Sequence, residues 1–243
     1  MTSKKEKICA ILQPHYLPWI GYFEMFDRVD VFVFLDDVQF IKREWKNRNK
    51  IRKTHNHPDS KWLSVPVKTA DQRKKLNQVR LVQEDWPRAH LNSISSSYAK
   101  APFFSEVFPF LEDALKNSEE TILSKLNIRL IKEINALLGI KTECINSSTL
   151  GVVGSKQDKI LKICKVVGIN KYLANNASTS YLDLGYFFEN GIEVLFQNYT
   201  HPKYEQVFSQ QILAPLSHLS VIDLLFNAGL GKKVLEIIRR GRL

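Results

Sequence analysis

Residues 7–37 read KICAILQPHYLPWIGYFEMFDRVDVFVFLDD, and the organisation of the chain follows from how this stretch is parsed. KICAIL and VDVFVFL are short runs rich in β-branched and aromatic residues, bounded by polar or proline breaks, which is the pattern of buried strands. The roughly ten residues GYFEMFDRVD leading into the second run suffice for a short helix. Strand, loop, helix and strand in that order predict a parallel pair, because parallel neighbours need a crossover. QPHYLPWIGY and the Asp36-Asp37 pair then both fall at carboxyl ends of strands, where open α/β sheets bind ligands.

Working outward, the rest of the chain keeps the same rhythm. After a basic run, IKREWKNRNKIRK, and a polar loop, THNHPDS, the segment KWLSVPVK reads as a strand whose proline assigns it to an edge. From RAHLNSISSSYAKAPFF the pattern turns helical. In SEETILSKLNIRLIKEINALLGI, Ser118 before Glu119 and Glu120 marks a helix start, Leu123, Leu126, Leu130, Ile134 and Leu137 trace one face, and Gly139 ends it. TECINSSTL reads as a strand, and GSKQDKILKICKVVGI as a helix opened by a Ser155-to-Asp158 box and closed at Gly168. KYLAN and GIEVLFQNY add strands, and SVIDLLFNAGLGKKVLEIIRRG closes the chain as helix interrupted at Gly229 and Gly231. The expectation is an α/β fold, a mostly parallel Rossmann-like sheet flanked by helices, forming a single domain over 1–243 with a helical insertion at about 85–138.

Composition narrows the classes. With 243 residues, 44% of them hydrophobic, the chain can bury a core, which argues against disorder. The basic start MTSKKE is followed by prolines before an apolar segment reaches the length of a signal peptide or membrane span, so the reading is a cytoplasmic protein with no membrane span. Cys9, Cys144 and Cys164 sit in apolar runs without zinc or thioredoxin spacing, and apart from HNH the six histidines lack ligand spacing, so no metal site is predicted. A net charge of +10 calls for an anionic partner: nucleic acid, lipid headgroups or the phosphates of a nucleotide or nucleotide sugar. No nucleic-acid signature accompanies the charge, which disfavours the first.

The candidate site gathers at the predicted strand ends. Gln13, His15 and Tyr16 lie in the proline-stiffened loop, where Tyr16, Trp19 and Tyr22 can equally be packing groups and His15 a structural hydrogen bonder. Asp36 and Asp37 point to opposite faces if extended, so one of them enters a crevice while the other binds backbone or a cation. In KREWKNRNKIRK, Arg43 and Arg48 suit phosphate, Asn47 and Asn49 suit hydroxyls, and Trp45 suits stacking on a base or sugar; a solvated basic face is the competing account.

LQPHYLPWIGYFEMFDRVDVFVFLDDVQFIKREWKNRNKI, together with WLSVPV, YLDLGYF, GIEVLFQNYTHPKYEQ and LSVIDLLFNAG, resembles the WbqC-like family of bacterial surface-polysaccharide (O-antigen, lipopolysaccharide) gene clusters over nearly the whole chain. The resemblance implies a transferase or ligase that modifies an amino sugar by glycyl or acyl transfer, on a nucleotide-linked sugar. Its polar positions fall on Gln13, His15, Tyr22, Asp36, Asp37, Gln39, Arg43, Trp45, Asn47, Arg48 and Asn49, and on Tyr181, Asp183, His201, Tyr204 and Gln206. Where relatives are expected to carry a Ser-Gly pair, LANNASTS has Asn175 and Asn176, which puts the acceptor's identity in doubt and adds Asn176 to the substrate-binding set. The strand followed by QPHYLPWIGY also resembles, more faintly, the HIGH nucleotidyltransferase and synthetase superfamily, whose histidine loop holds ATP phosphates. Here Tyr22 stands for the second histidine, two residues are inserted, and GSKQDK only partly matches the superfamily's lysine-rich loop.

Acyl transfer to an amine needs a base for the amine proton, donors for the oxyanion and cations for phosphates. His15 or His201 is the expected base, and Asp36 or Asp37 would orient a histidine or hold Mg²⁺ if ATP is the cofactor. The other classes carried forward are an ATP-dependent adenylate- or nucleotide-transferring enzyme and a non-catalytic carbohydrate-binding assembly protein.

Overall fold

The computed structural model describes residues 6–54, 57–180, 182–207 and 215–243. Strands β1 (Ile8–Leu12) and β2 (Val31–Phe34) are joined by helix α1 (Ile20–Arg28). Next come β3 (Arg48–Arg52) and β4 (Ser60–Ser64), then three helices, α2 (Trp86–Tyr98), α3 (Phe104–Lys116) and α4 (Leu123–Leu138). The second half alternates β5 (Glu143–Asn146), α5 (Lys156–Val167), β6 (Lys171–Ala174), α6 (Leu184–Glu189) and β7 (Glu193–Phe196). Helices α7 (Val221–Ala228) and α8 (Lys232–Arg239) end the chain, separated by Gly229 and Gly231 at φ 89° and 75°, values that glycine adopts freely.

Five strands form an all-parallel sheet in the order β5-β2-β1-β6-β7. KICAIL, VDVFVFL and GIEVLFQNY therefore share one sheet, as their spacing predicts. Ranked by position in the chain the order is 3-2-1-4-5, the doubly wound arrangement, and its direction reverses between β1 and β6. Alternation along the strands supplies two cores. Ala10, Phe32, Phe34 and Leu173 face α1, α4, α7 and α8, whereas Cys9, Ile11, Val31, Val33 and Tyr172 face α5 and α6. Helices α2 and α3 bury Leu91, Ile94, Val107 and Leu111 in the first of these cores. On the second face Cys9 and Cys164 pack with sulfurs 3.8 Å apart.

Three sequence expectations need correction. KWLSVPVK is an edge strand, but of a ribbon separate from the main sheet, because β4 pairs antiparallel with β3 alone; the basic run thus contains a strand, with Ile51 and Arg52 buried. Helix α4 starts at Leu123 rather than at Ser118, since Thr121 and Ile122 are extended: Ile122 bridges Arg80, and the Thr121 carbonyl accepts from Leu81 N–H. Ser155 is the N-cap of α5 but its hydroxyl makes no capping bond, and Asp158 instead pairs with Lys162 and accepts from the Tyr186 hydroxyl.

Candidate functional site

The β1–α1 loop is fastened through its backbone. Tyr22 donates its hydroxyl to the Gln13 carbonyl (3.0 Å), and Asn127 donates Nδ2 to the Pro14 and Lys46 carbonyls (3.0 and 2.7 Å). Asn49 donates Nδ2 to the carbonyls of Tyr16 (3.2 Å) and Leu17 (2.6 Å), and Ser220 Oγ donates to Leu17 as well (2.8 Å). Tyr16 is wholly buried with its hydroxyl 2.9 Å from His90 Nδ1, and its N–H donates to the Trp45 carbonyl. Asn47 spends Nδ2 on the Val65 carbonyl (3.1 Å). Tyr16, Tyr22, Asn47 and Asn49 are therefore occupied with protein groups, and the polar side chains left to the solvent side of the loop are Gln13 and His15.

Neither ring nitrogen of His15 has a hydrogen-bond partner among the described residues; its ring lies 5.3 Å from that of Tyr22. Burial, reinforced by the Lys46 ammonium, lowers its pKa to about 3, so the imidazole is neutral with one donor and one acceptor. Lys46 is itself buried and lowered to about 8 by desolvation.

The aspartates divide as adjacent residues should. Asp36 is buried and accepts from Ser148 N–H (2.9 Å), Ser148 Oγ (2.7 Å) and Ser147 Oγ (3.1 Å), which ties β2 to the turn after β5. Asp37 faces solvent-accessible space and pairs with Lys159 Nζ at 2.6 Å. Burial pushes the Asp37 carboxyl upward, but the bonds from Lys159 and Ser147 outweigh it and hold the group below the usual carboxylate range.

Two neighbouring hollows open along the carboxyl edge of the sheet. The larger, about 920 Å³, is lined by Gln13, Asp37, Gln39, Lys75, Lys156 and Asp183 among others. Gln39 and Lys75 are side by side through an antiparallel bridge, and the ammoniums of Lys75 and Lys156 have no partner among the described residues. The smaller, about 430 Å³, sits where the strand order reverses, between Leu12 at the end of β1 and Asn175-Asn176 after β6, and is walled by His15, Trp19, Tyr22 and Trp45.

The remaining predicted residues lie elsewhere or at the rim. Arg43 is exposed, at φ 63°, and Arg48 lays its guanidinium 4.0 Å over the Trp62 ring; neither lines the two hollows. The cations that do are Lys75, Lys156 and Lys159. His201 reaches the cleft through Trp19, on which it stacks with centroids 6.3 Å apart, and through His218, with ring centroids 5.2 Å apart, and it lines a third hollow of about 220 Å³ with Tyr204 and Gln206. Burial and nearby His218 lower its pKa, and its Nε2 is buried without a partner among the described residues. Tyr204 donates to Asp223 (2.8 Å) and Gln206 accepts from buried Arg52 (2.7 Å), so both anchor the segment after β7 to the core. Asp183 caps α6 through Tyr186 N–H, and Tyr181 lies outside the described residues. Lys75, Lys156, Lys159, Trp19 and His218 went unpredicted as site residues. Lys156 and Lys159 both had a signal, the GSKQDK segment that opens α5.

No cluster of three or more histidine, cysteine or acidic side chains able to hold a metal occurs among the described residues, and the oxygens of Asp36 and Asp37 are already engaged by serines and Lys159. Nor is any helix among them long and apolar enough to cross a membrane.

Sheet order and cleft position define a doubly wound α/β protein with a ligand-sized cleft at the carboxyl edge of its strands. The chain belongs to the WbqC-like protein family, whose profile matches residues 13–234. It is similar to "Uncharacterized protein Rv1507c" of Mycobacterium tuberculosis (strain ATCC 25618 / H37Rv), with 32% identity over 225 residues covering 92% of this chain and 94% of the relative. No solved structure matches it significantly.

Proposed function

We propose that the protein is a transferase or ligase that acylates an amino sugar carried on a nucleotide, in the assembly of a surface polysaccharide such as O-antigen. The observation that carries this reading is the larger hollow: two lysine ammoniums with no partner among the described residues, Lys75 and Lys156, stand over the carboxyl edge of a Rossmann-ordered sheet beside the neutral amides of Gln13 and Gln39. Unpaired cations next to hydrogen-bonding amides suit a diphosphate and its attached hydroxyls. The chemistry is attack of the sugar amine on the carbonyl carbon of an activated acyl group. A C–N bond forms, the bond from carbonyl carbon to the leaving oxygen breaks, and the amine proton passes to a base. Neutral His15 and ionised Asp37 are the candidates for that base. An acyl adenylate made from a carboxylate and ATP, with pyrophosphate released, would supply the activated group and leave as AMP. Lys75 and Lys156 would bind its phosphate.

The test is incubation of the purified protein with glycine, ATP and a panel of nucleoside-diphosphate amino sugars, with the products weighed by mass spectrometry. An N-acylated sugar nucleotide formed only when both substrates are present is the expected result, lost in Lys156→Ala combined with Lys75→Ala. If AMP forms from ATP and the carboxylate with no sugar needed, the adenylate-forming reading takes its place. If sugar nucleotides bind but nothing turns over, the protein is a binding module.

A further inference from the structure

The two hollows differ in charge, and the difference sorts the parts of a ligand. Three lysines and two aspartates line the larger hollow, whereas no lysine, arginine, aspartate or glutamate lines the smaller. A phosphate moved into the smaller hollow would lose its water and find no lysine or arginine in the wall to replace it. An ammonium would meet no carboxylate and would lie near Lys46, whose charge already disfavours protonation of His15. The walls suit something uncharged instead. Trp45, 41% exposed, supplies a broad apolar face and continues outward to Trp62 with ring centroids 5.3 Å apart, and Trp19, whose ring also stacks with His218 at 5.1 Å, completes the wall. The groups available for hydrogen bonding are neutral: both nitrogens of His15, and the Nδ2 of Asn176, whose Oδ1 is already taken by Asn198 N–H at 2.9 Å.

We infer that the smaller hollow is the receptor for an uncharged sugar ring, held against Trp19 and Trp45 with its hydroxyl or N-acyl groups hydrogen-bonded to His15 and Asn176, while any phosphates attached to it stay over the lysines next door. This deepens the reading above and rests on it for the identity of the ligand as a sugar nucleotide. It also fits the amine chemistry, since a hollow without a carboxylate favours the unprotonated, nucleophilic form of an amino group.

The probes are methyl N-acetylglucosaminide, which is neutral, inorganic pyrophosphate, UDP and UDP-N-acetylglucosamine. In nitrogen-labelled protein the glycoside should move the His15 ring and Trp45 indole resonances saturably, and pyrophosphate should leave them in place. By titration calorimetry, His15→Ala should weaken UDP-N-acetylglucosamine by about three- to tenfold, the loss of a neutral hydrogen bond or two, and UDP by less than about twofold. Trp45→Ala, at a half-exposed position, should show the same selectivity and covers the case in which His15→Ala fails to fold. Equal weakening of UDP and the sugar nucleotide would put the base in the hollow and overturn the assignment. So would the absence of any saturable movement at His15 in folded protein. A glycoside response at His15 without acyl product in the turnover assay would count against the proposed reaction and leave the sugar hollow standing; acyl product with no response at His15 would do the reverse.

Discussion

Replacing Asn49 with alanine should destabilise the protein by about 2–4 kcal/mol, and the figure follows from what each lost bond leaves behind. Asn49 is 2% exposed and makes three hydrogen bonds, to the Tyr16 and Leu17 carbonyls and from Lys50 N–H. The Tyr16 carbonyl has no other donor among the described residues, so it becomes a buried unsatisfied acceptor at a cost of about 1–3 kcal/mol. The Leu17 carbonyl keeps Ser220 Oγ at 2.8 Å, so its loss is limited to about 0.5 kcal/mol, and the half-buried Lys50 N–H adds about as much. The compensation at Leu17 makes a second, sharper prediction within the same experiment. Removing Ser220 and Asn49 together strips that carbonyl of both donors, and the double variant should exceed the sum of the single ones by about 1 kcal/mol. Leu17 sits at φ 40°, an unfavourable conformation for leucine that only its surroundings maintain. Urea unfolding at constant slope measures all four proteins. If Asn49→Ala falls within about 0.5 kcal/mol of wild type, the amide is not what holds the β1–α1 loop, and the account of how His15 is presented fails with it.

Two further outcomes follow from the ionisable groups. Asp37→Asn strands the Lys159 ammonium, whose side chain is 7% exposed, and should cost about 3 kcal/mol by urea unfolding, with much of the loss recovered in Asp37→Asn/Lys159→Met. Because the folded Asp37 pKa lies below its unfolded value, the pair's contribution is full above pH about 4 and declines as pH falls through the lowered folded value, a decline the double variant should lack. His15, lowered to about 3, and His90, lowered to about 4 chiefly by burial, bind protons in the unfolded chain before they do so in the folded one. Stability should therefore fall as pH drops from about 6.5 towards 4, and His15→Gln should flatten that slope; ring resonances of His15 that titrate near pH 6.5 in the native protein would refute its assignment as a neutral group.

Much of the fold was legible in residues 7–37 because strand burial leaves a local trace. Val31, Phe32, Val33 and Phe34 are all buried, and a run that must satisfy both faces of a parallel sheet is apolar throughout. The helix endings at Gly139 and Gly168 were equally local, each a left-handed C-cap. Ser118 misled because Thr121 and Ile122 pair with a segment some forty residues earlier, a contact that no window around the serine contains.

The sequence alone determined family membership, the parallel sheet and the loop at its carboxyl edge, since each depends on ordered motifs or short-range periodicity. Only the tertiary structure decided which polar residues present themselves and which are spent. Asn47, Asn49, Tyr16 and Tyr22 stand beside Gln13, His15 and Trp45 in the same polar stretches, yet Asn47, Asn49 and Tyr22 turn inward to bond loop carbonyls and Tyr16 to meet the ring of His90 on α2. Lysines 75 and 156, far apart in the chain, reach one hollow because Lys75 bridges Gln39 in the loop after β2 while Lys156 opens α5 at the same edge of the sheet. A side chain's role is set by whether a buried acceptor lies within hydrogen-bonding distance, and that distance is created by packing, which residue type and spacing do not encode.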